Sequence, residues 1–350
     1  MLWTYLKDRA LVYSDLHLTI GERPAYRDRA GRIVKCPEAE PITAEDIAVL
    51  LPKDTSSLTA LIETHEGEAN FAATVDGVRY RVNGSWHDGH RLGVVMRRVN
   101  DTIPPLNELG LPLDIINTFL ARSSGIVQIT GATGSGKSTT MAAMIATLCR
   151  EPVRIVTLED PIEYLLPRDQ AAVVTQREVG RDTPSFSLGI RAAMRQDPDI
   201  LVIGEVRDAE TAEAALQAAD TGHLVFTTAH TRSAARTVER IQNLFPAERQ
   251  GTILGQFADA FLGVISQVLV PSADGQGKVL AYEVMTPDGG VAANIRKNRI
   301  EQLNNDIDSG GQWGMVKLNK TLARLVREGR ITKADALGAS YEPQTLKREI

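Results

Sequence analysis

The sequence predicts an α/β protein: a small α+β unit as far as about residue 100, then a mostly parallel sheet wrapped by helices. Three observations predict it. The first hundred residues carry alternating apolar and polar stretches broken by turn signals, with two helical stretches among them. From about residue 113, continuous apolar runs alternate with helix-forming runs. Between the two lies a Pro- and Asn-rich stretch, NDTIPPLNELGLP, with the character of a linker. A length of 350 residues agrees with two domains at roughly 100–200 residues each. The expected boundaries are residues 1–100, a linker at 101–112, a core at 113–310 and a helical tail at 311–350.

In the first unit DLHLTI alternates as a half-buried strand, and PAYRD and RIVK flank a turn-like DRAG. ITAEDIAVLL and SLTALIETH have helical spacing, with Thr43 and Ser57 as N-caps. FAATV and VRYRVN are separated by Asp76-Gly77, a strong two-residue hairpin signal. A second turn at Asp88-Gly89 leads into LGVVMRRV. In the second unit GIVQIT, VRIVTL, DILVIG and HLVFTT read as strands buried on both faces. KSTTMAAMIATLC, FSLGIRAAMRQ and AETAEAALQAAD read as the helices between them. WGMVKLNKTLARLVREG and TKADAL read as amphipathic helices of the tail.

Composition excludes several classes. Hydrophobic content of 43% and charged content of 24% argue against wholesale disorder. Two cysteines, Cys36 and Cys149, cannot make a disulfide framework or a four-thiolate zinc site. A net charge of −5 argues against a broad electrostatic grip on DNA or anionic lipid. The start, MLWTYLKDRA, lacks a signal peptide's apolar core, and AFLGVISQVLV is too short to span a bilayer. The expectation is a soluble cytoplasmic protein that reaches a membrane only through partners and binds no nucleic acid directly.

The sharpest motif is Gly131-Ala132-Thr133-Gly134-Ser135-Gly136-Lys137-Ser138, which fits G-x-x-x-x-G-K-[ST] between an apolar strand and a helix-forming run. The glycines let backbone amides turn toward phosphate oxygens, and the helix N-terminus adds partial positive charge. Lys137 is expected to reach the β- and γ-phosphates of ATP and the Ser138 hydroxyl to ligate Mg²⁺, with Thr139 completing the nucleotide-binding stretch. Asp199 to Glu205 form an apolar strand ending in a carboxylate, the place of a P-loop protein's metal acid. VRIVTL runs into Glu159-Asp160-Pro161-Ile162-Glu163, three carboxylates where open α/β sheets place ligands. A carboxylate near the γ-phosphate can orient and deprotonate the attacking water. His223 and His230 bracket HLVFTT; seven apart, they face opposite ways on a regular strand, which argues against a zinc pair.

Taken together, GATGSGKST, LEDPIEY, RQDPDILVIGEVRD and TGHLVFTTAHT resemble, in order, the boxes of the type II/type IV secretion and type IV pilus ATPase superfamily, and within it the PilT branch. TQREVGRDTPSFS, SAARTVERIQNLFPAE and VISQVLV match as well, as do SDLHL and RYRVN near the start, so the resemblance spans roughly residues 12–335. It implies a PAS-like N-terminal domain followed by a RecA-like P-loop ATPase core with a C-terminal helical tail, assembled as a hexameric ring. It implies Glu163 as catalytic glutamate and Glu205 as the metal acid, Glu159 and Asp160 in the second shell of the metal, and His230 and His223 in the histidine box. Arg79 and Arg81, with either Arg97 or Arg98, match the arginines that reach phosphate.

The two cysteines leave out the tetracysteine zinc module of the extension and secretion branches, which favours a retraction motor acting on an inner-membrane platform protein. Asn294 to Ile300 depart from the retraction branch's Ala-Ile-Arg-Asn-Leu-Ile-Arg, keeping only Ile295 and Arg296 in register. A secretion or conjugation motor of the DotB or TraJ kind is therefore the rival reading. A nucleotide-gated scaffold, which needs the phosphate loop but not Glu163, is the non-enzymatic one. A DNA translocase is disfavoured by the acidic balance and the 5% aromatic content.

Overall fold

The computed structural model describes residues 13–28, 32–51, 62, 67–88, 91–99 and 102–350. Ser57 and Gly89 lie outside the described residues. The chain divides into two compact units, Met1–Thr102 and Ile103–Ile350.

The first unit is built on an antiparallel sheet of β1 (Asp15–Thr19), β2 (Ala25–Arg27), β3 (Ile33–Lys35), β4 (Glu68–Val75), β5 (Val78–His87) and β6 (Arg91–Arg98), in the order β3-β2-β1-β6-β5-β4. The Asp76-Gly77 hairpin closes as its residues require: both take positive φ, 49° and 80°. Helix α1 (Ala44–Ala48) starts with a reciprocal capping box between Thr43 and Asp46. Alternation sends Leu16, Leu18, Tyr80, Val82, Val94 and Met96 into a core shared with Ile42, Ile47 and Leu50.

The second unit carries β7 (Gly125–Thr130), β8 (Arg154–Glu159), β9 (Val173–Glu178), β10 (Ile200–Ile203), β11 (Leu224–Ala229), β12 (Phe261–Pro271) and β13 (Lys278–Met285) in one sheet, ordered β13-β12-β7-β11-β10-β8-β9. Every pairing is parallel except β12 with β13, which a six-residue loop joins as an antiparallel edge. Helices α2 (Leu113–Leu120) and α3 (Lys137–Leu148) pack with one apolar cluster around Val127, Ile129 and Phe226. Helices α4 (Phe186–Ala193), α5 (Ala209–Asp220), α6 (Ala234–Asn243) and α7 (Ala247–Ala260) pack with a second cluster around Ile126, Val225 and Val264, joined by α8 (Val291–Arg296) and α9 (Leu303–Ser309). With both faces covered, β7, β10 and β11 have almost no exposed position, which is why their sequences are continuous apolar runs. The tail forms α10 (Leu318–Arg327), α11 (Lys333–Ala339) and α12 (Pro343–Leu346), whose apolar faces cover Val270, Val279 and Ala281 of the β12–β13 edge.

Candidate active site

The parallel strands β7, β8, β10 and β11 end on one edge of the sheet, and the loops leaving them carry the predicted site residues. The phosphate loop leaves β7 at Gly131, whose amide donates to the Ala229 carbonyl at the end of β11 (3.3 Å). Gly131, Gly134 and Gly136 have φ of 145°, 78° and 89°, a backbone that favours glycine. At Gly131 a Cβ would also lie 2.4 Å from the Gln267 carbonyl of β12 and 2.4 Å from Ser135 Oγ. Gln267 in turn donates to Thr140 of α3 (2.8 Å), so β12 braces the loop and its helix together.

Lys137 opens α3 and is buried; its ammonium donates to the Gly131 and Ala132 carbonyls at 2.8 and 3.0 Å. Burial pushes its pKa down, and the Glu163 and Glu205 carboxylates pull it back up. That coupling brings three separate motifs to one place. Ser135 Oγ is buried without a partner among the described residues, a polar atom turned into the loop with nothing to bond. Thr139 spends its hydroxyl on Tyr164 of the acidic loop (2.8 Å), tying α3 to the segment that carries Glu163.

The acidic loop separates its carboxylates by environment. Glu159 Oε1 accepts from Thr157 Oγ1 (2.6 Å) and Gln176 Nε2 (3.1 Å), and the carboxylate also receives the Glu163 backbone amide. Burial pushes its carboxyl up against those hydrogen bonds. Glu159 is therefore committed to holding the loop, and Glu163 is left exposed four residues on, facing Lys137 electrostatically. Asp160 is exposed and enters a cis peptide bond to Pro161. Gln176 completes the brace: its amide donates to the Tyr164 carbonyl (2.9 Å) and its oxygen accepts the Leu166 amide (2.9 Å). Sequence reasoning left Gln176 unassigned, because it sits on the half-buried edge strand β9, which has no apolar run to announce it.

Glu205 follows β10 by two residues, with its side chain 13% exposed. Arg207 Nη2 lies 2.5 Å from one of its oxygens and His230 Nε2 lies 4.0 Å from the other. Burial and the Lys137 charge push the His230 imidazole down, against the pull of Glu205, so at neutral pH it faces Glu205 uncharged. His223 is at the opposite end of β11, where its Nδ1 is 2.8 Å from the Ala218 carbonyl in the last turn of α5. The two histidines of the box are thus divided: His230 joins the site and His223 closes a turn.

In the first unit Arg81, Arg97, Asp15 and Arg27 are direct cross-strand neighbours, one on each of β5, β6, β1 and β2, and therefore share a face. Arg79 shares that face with Arg81 by alternation. Arg97 Nε donates to Asp15 Oδ1 at 2.8 Å, while Arg98 is opposite Tyr80 in the next row.

Comparison with known proteins agrees with this architecture. Residues 77–331 match the family described as "Type II/IV secretion system protein". The chain belongs to that family. It is 38% identical to the type IV pilus retractation ATPase PilT of Pseudomonas aeruginosa over 95% of each chain. Its structure is similar to the crystal structure of the pilus retraction motor PilT with bound ADP, with a TM-score of 0.89, 37% identity and 99% of each chain covered. It is similar also to the Legionella pneumophila ATPase DotB, with a TM-score of 0.76, 28% identity and 96% and 93% covered. The fold is that of these ATPases, an N-terminal domain followed by an ATPase core, and the chain is a nucleotide-binding ATP hydrolase. Among the described residues no helix is long and apolar enough to cross a membrane.

The oxygen donors near the phosphate loop fit magnesium. Ser138 supplies a hydroxyl and Glu205 a carboxylate, hard ligands of the kind Mg²⁺ takes beside substrate phosphates. Among the described residues no cluster of three or more His, Cys, Asp or Glu side chains could form an all-protein cage.

Proposed function

We propose that the chain is the Mg²⁺-dependent motor ATPase of a type IV pilus, of the retraction kind, working as a homohexameric ring on an inner-membrane platform protein. The observation that carries the reading is that β7, β8 and β10 end on one edge of the sheet and deliver there the phosphate loop with Lys137, the acidic loop with Glu163 and the Glu205 carboxylate. The whole-length likeness to PilT supports the choice of machine.

In this reading the loop amides and Lys137 hold the nucleotide phosphates. Ser138 and Glu205 hold magnesium, which when bound neutralises charge on the phosphate oxygens. Glu163 orients the attacking water and takes its proton; its exposure beside the half-buried, hydrogen-bonded Glu159 leaves it free to do so. His230 stands beside Glu205 as a neutral polar group. Arg79 and Arg81 supply positive charge to the transferring phosphoryl group and tie hydrolysis to movement of the N-terminal domain, whereas Arg97 is held by Asp15.

The likeness to DotB supports a second reading of the same class, a secretion or conjugation motor. The deciding experiment is steady-state ATP hydrolysis with Mg²⁺, together with particle mass, for the wild type and Glu163→Gln. We expect a particle of about six subunits that binds ATP in both forms, with turnover reduced about 10²–10⁴-fold in the variant. Equal turnover would remove Glu163 as the base. A ring that binds ATP and never hydrolyses it would favour the scaffold. Twitching restored to a strain lacking its retraction motor would separate pilus from secretion.

A further inference from the structure

One buried carboxylate has no part in the site described above. Glu283, on β13, is 1% exposed and stands between two helix starts. Its Oε1 accepts the Ala234 amide, the first of α6, at 2.7 Å. Its Oε2 accepts the Leu318 amide, the first of α10, at 3.5 Å, and the hydroxyl of Tyr341 from the C-terminal segment. Burial pushes the carboxyl up to about 7, while the two amides and Lys317 pull it down and Glu342 pushes it further up. Removing a carboxylate from water costs several kcal/mol unless its oxygens are met, and three donors meet these.

The strand register shows where this group leads. Glu283 is the direct neighbour of Ser266 on β12, Ser266 of Thr130 on β7, and Thr130 of Ala229 on β11. Thr130 immediately precedes the phosphate loop and Ala229 immediately precedes His230. Ser266 Oγ donates to the Arg232 carbonyl at 3.2 Å. The segment 230–233 is therefore strung between two anchors. Sheet pairing fixes its upstream end at Ala229, and the Ser266–Glu283 pair fixes its downstream end at Arg232 and Ala234. On the remote side, the C-terminal segment is fastened to α10, where Asn319 donates to the Glu342 carbonyl (3.1 Å) and accepts from Ser340 (2.7 Å).

We propose that Glu283 is a positioning residue for ATP hydrolysis: it sets the His230 loop against Glu205 and links that loop, through Leu318 and Tyr341, to the C-terminal helices. The proposal rests on the reading of His230 as part of the nucleotide site. A change in how the tail sits is then transmitted to the site along one carboxylate.

Two substitutions in the full-length chain test it. Glu283→Gln keeps the shape but turns one acceptor oxygen into an NH₂ donor, so the Ala234 and Leu318 amides cannot both be met and Tyr341 must turn its hydroxyl to accept. Tyr341→Phe removes one hydroxyl at the tail and leaves the carboxylate. Small displacements of a positioned group cost up to about 10²-fold in rate. We expect kcat to fall about ten-fold in Glu283→Gln and about three-fold in Tyr341→Phe, with KM for ATP changed less than about two-fold in each. In a His230→Ala background the Tyr341→Phe effect on kcat should disappear, since both act through one loop.

Wild-type kcat in both variants, with only a lowered melting temperature, would overturn the proposal. So would the same loss from Tyr341→Phe in both backgrounds. If His230→Ala itself turns over ATP at the wild-type rate, the reading of His230 falls, and the positioning role is judged by kcat in Glu283→Gln and Tyr341→Phe alone.

Discussion

The two sheets of this protein keep their polar chemistry in different places. In the parallel sheet the faces of β7, β10 and β11 are closed off by helices, and the proposed site groups stand beyond the strand ends, Glu163, Glu205 and His230 on loops and Lys137 at the start of α3. In the antiparallel sheet they stand on the face itself, as the row Arg81, Arg97, Asp15 and Arg27 across four strands. The difference follows from burial. A strand covered on both sides has little room for charge except where it stops or where donors meet it, as they meet Glu283, whereas a sheet covered on one side can carry a charged row on the other. An unpaired charge at a strand end can therefore be removed with little cost to the fold, while a paired charge in the row, as Arg97 is with Asp15, is also part of what holds the strands' side chains in place.

The largest break in that comparison is Lys137→Ala. Losing the one buried ammonium of the phosphate loop should lower turnover by at least about 10²–10³-fold and weaken nucleotide binding, with the melting temperature little changed. Isothermal titration with nucleotide and a hydrolysis assay measure both, and undiminished affinity would refute the loop assignment.

Arg81→Ala tests whether the row serves catalysis from the other unit. We expect kcat to fall about ten-fold with stability within about 0.5 kcal/mol of wild type, since Arg81 is exposed. A wild-type kcat would confine the chemistry to the parallel sheet.

The smallest effect is expected at Arg97, and it is one of stability. Asp15 is 7% exposed in its side chain; burial pushes its carboxyl up, but hydrogen bonds from Ser14 and Arg97 outweigh that and hold it below the ordinary value. A depressed carboxyl stabilises the fold above its unfolded pKa of about 3.9 and loses that contribution as pH falls through the folded value. Arg97→Ala should therefore cost about 1 kcal/mol at pH 7, discounted for the guanidinium's 69% exposure, and the difference should shrink below about pH 4. Urea denaturation at the two pH values measures it, and an equal difference at both would exclude the Asp15 linkage.

Much of the site was legible because its signals are local. Gly131 to Ser138 is a contiguous stretch whose geometry the strand before it and the helix after it impose, and the positive φ values are those its glycines permit. Glu205 was legible as the acid beyond a buried strand. The acidic loop was legible only as a group: Glu159 and Glu163 lie on one short stretch, and what separates them is Thr157 together with Gln176 from a strand more than a dozen residues downstream. The β12–β13 edge was not read as strands, since AFLGVISQVLV shows an apolar run but not its antiparallel partner.

By itself the sequence determined the Asp76-Gly77 hairpin, the mostly parallel second sheet, the phosphate-loop motif and the family, because each rests on residues adjacent or periodic in the chain. Tertiary structure alone decided which carboxylate is committed and which exposed, that His230 faces Glu205 while His223 closes a turn, and that Glu283 ties the C-terminal helices to the loop after β11. These depend on contacts between residues tens of positions apart, where burial and hydrogen bonding, rather than spacing, set what each group does.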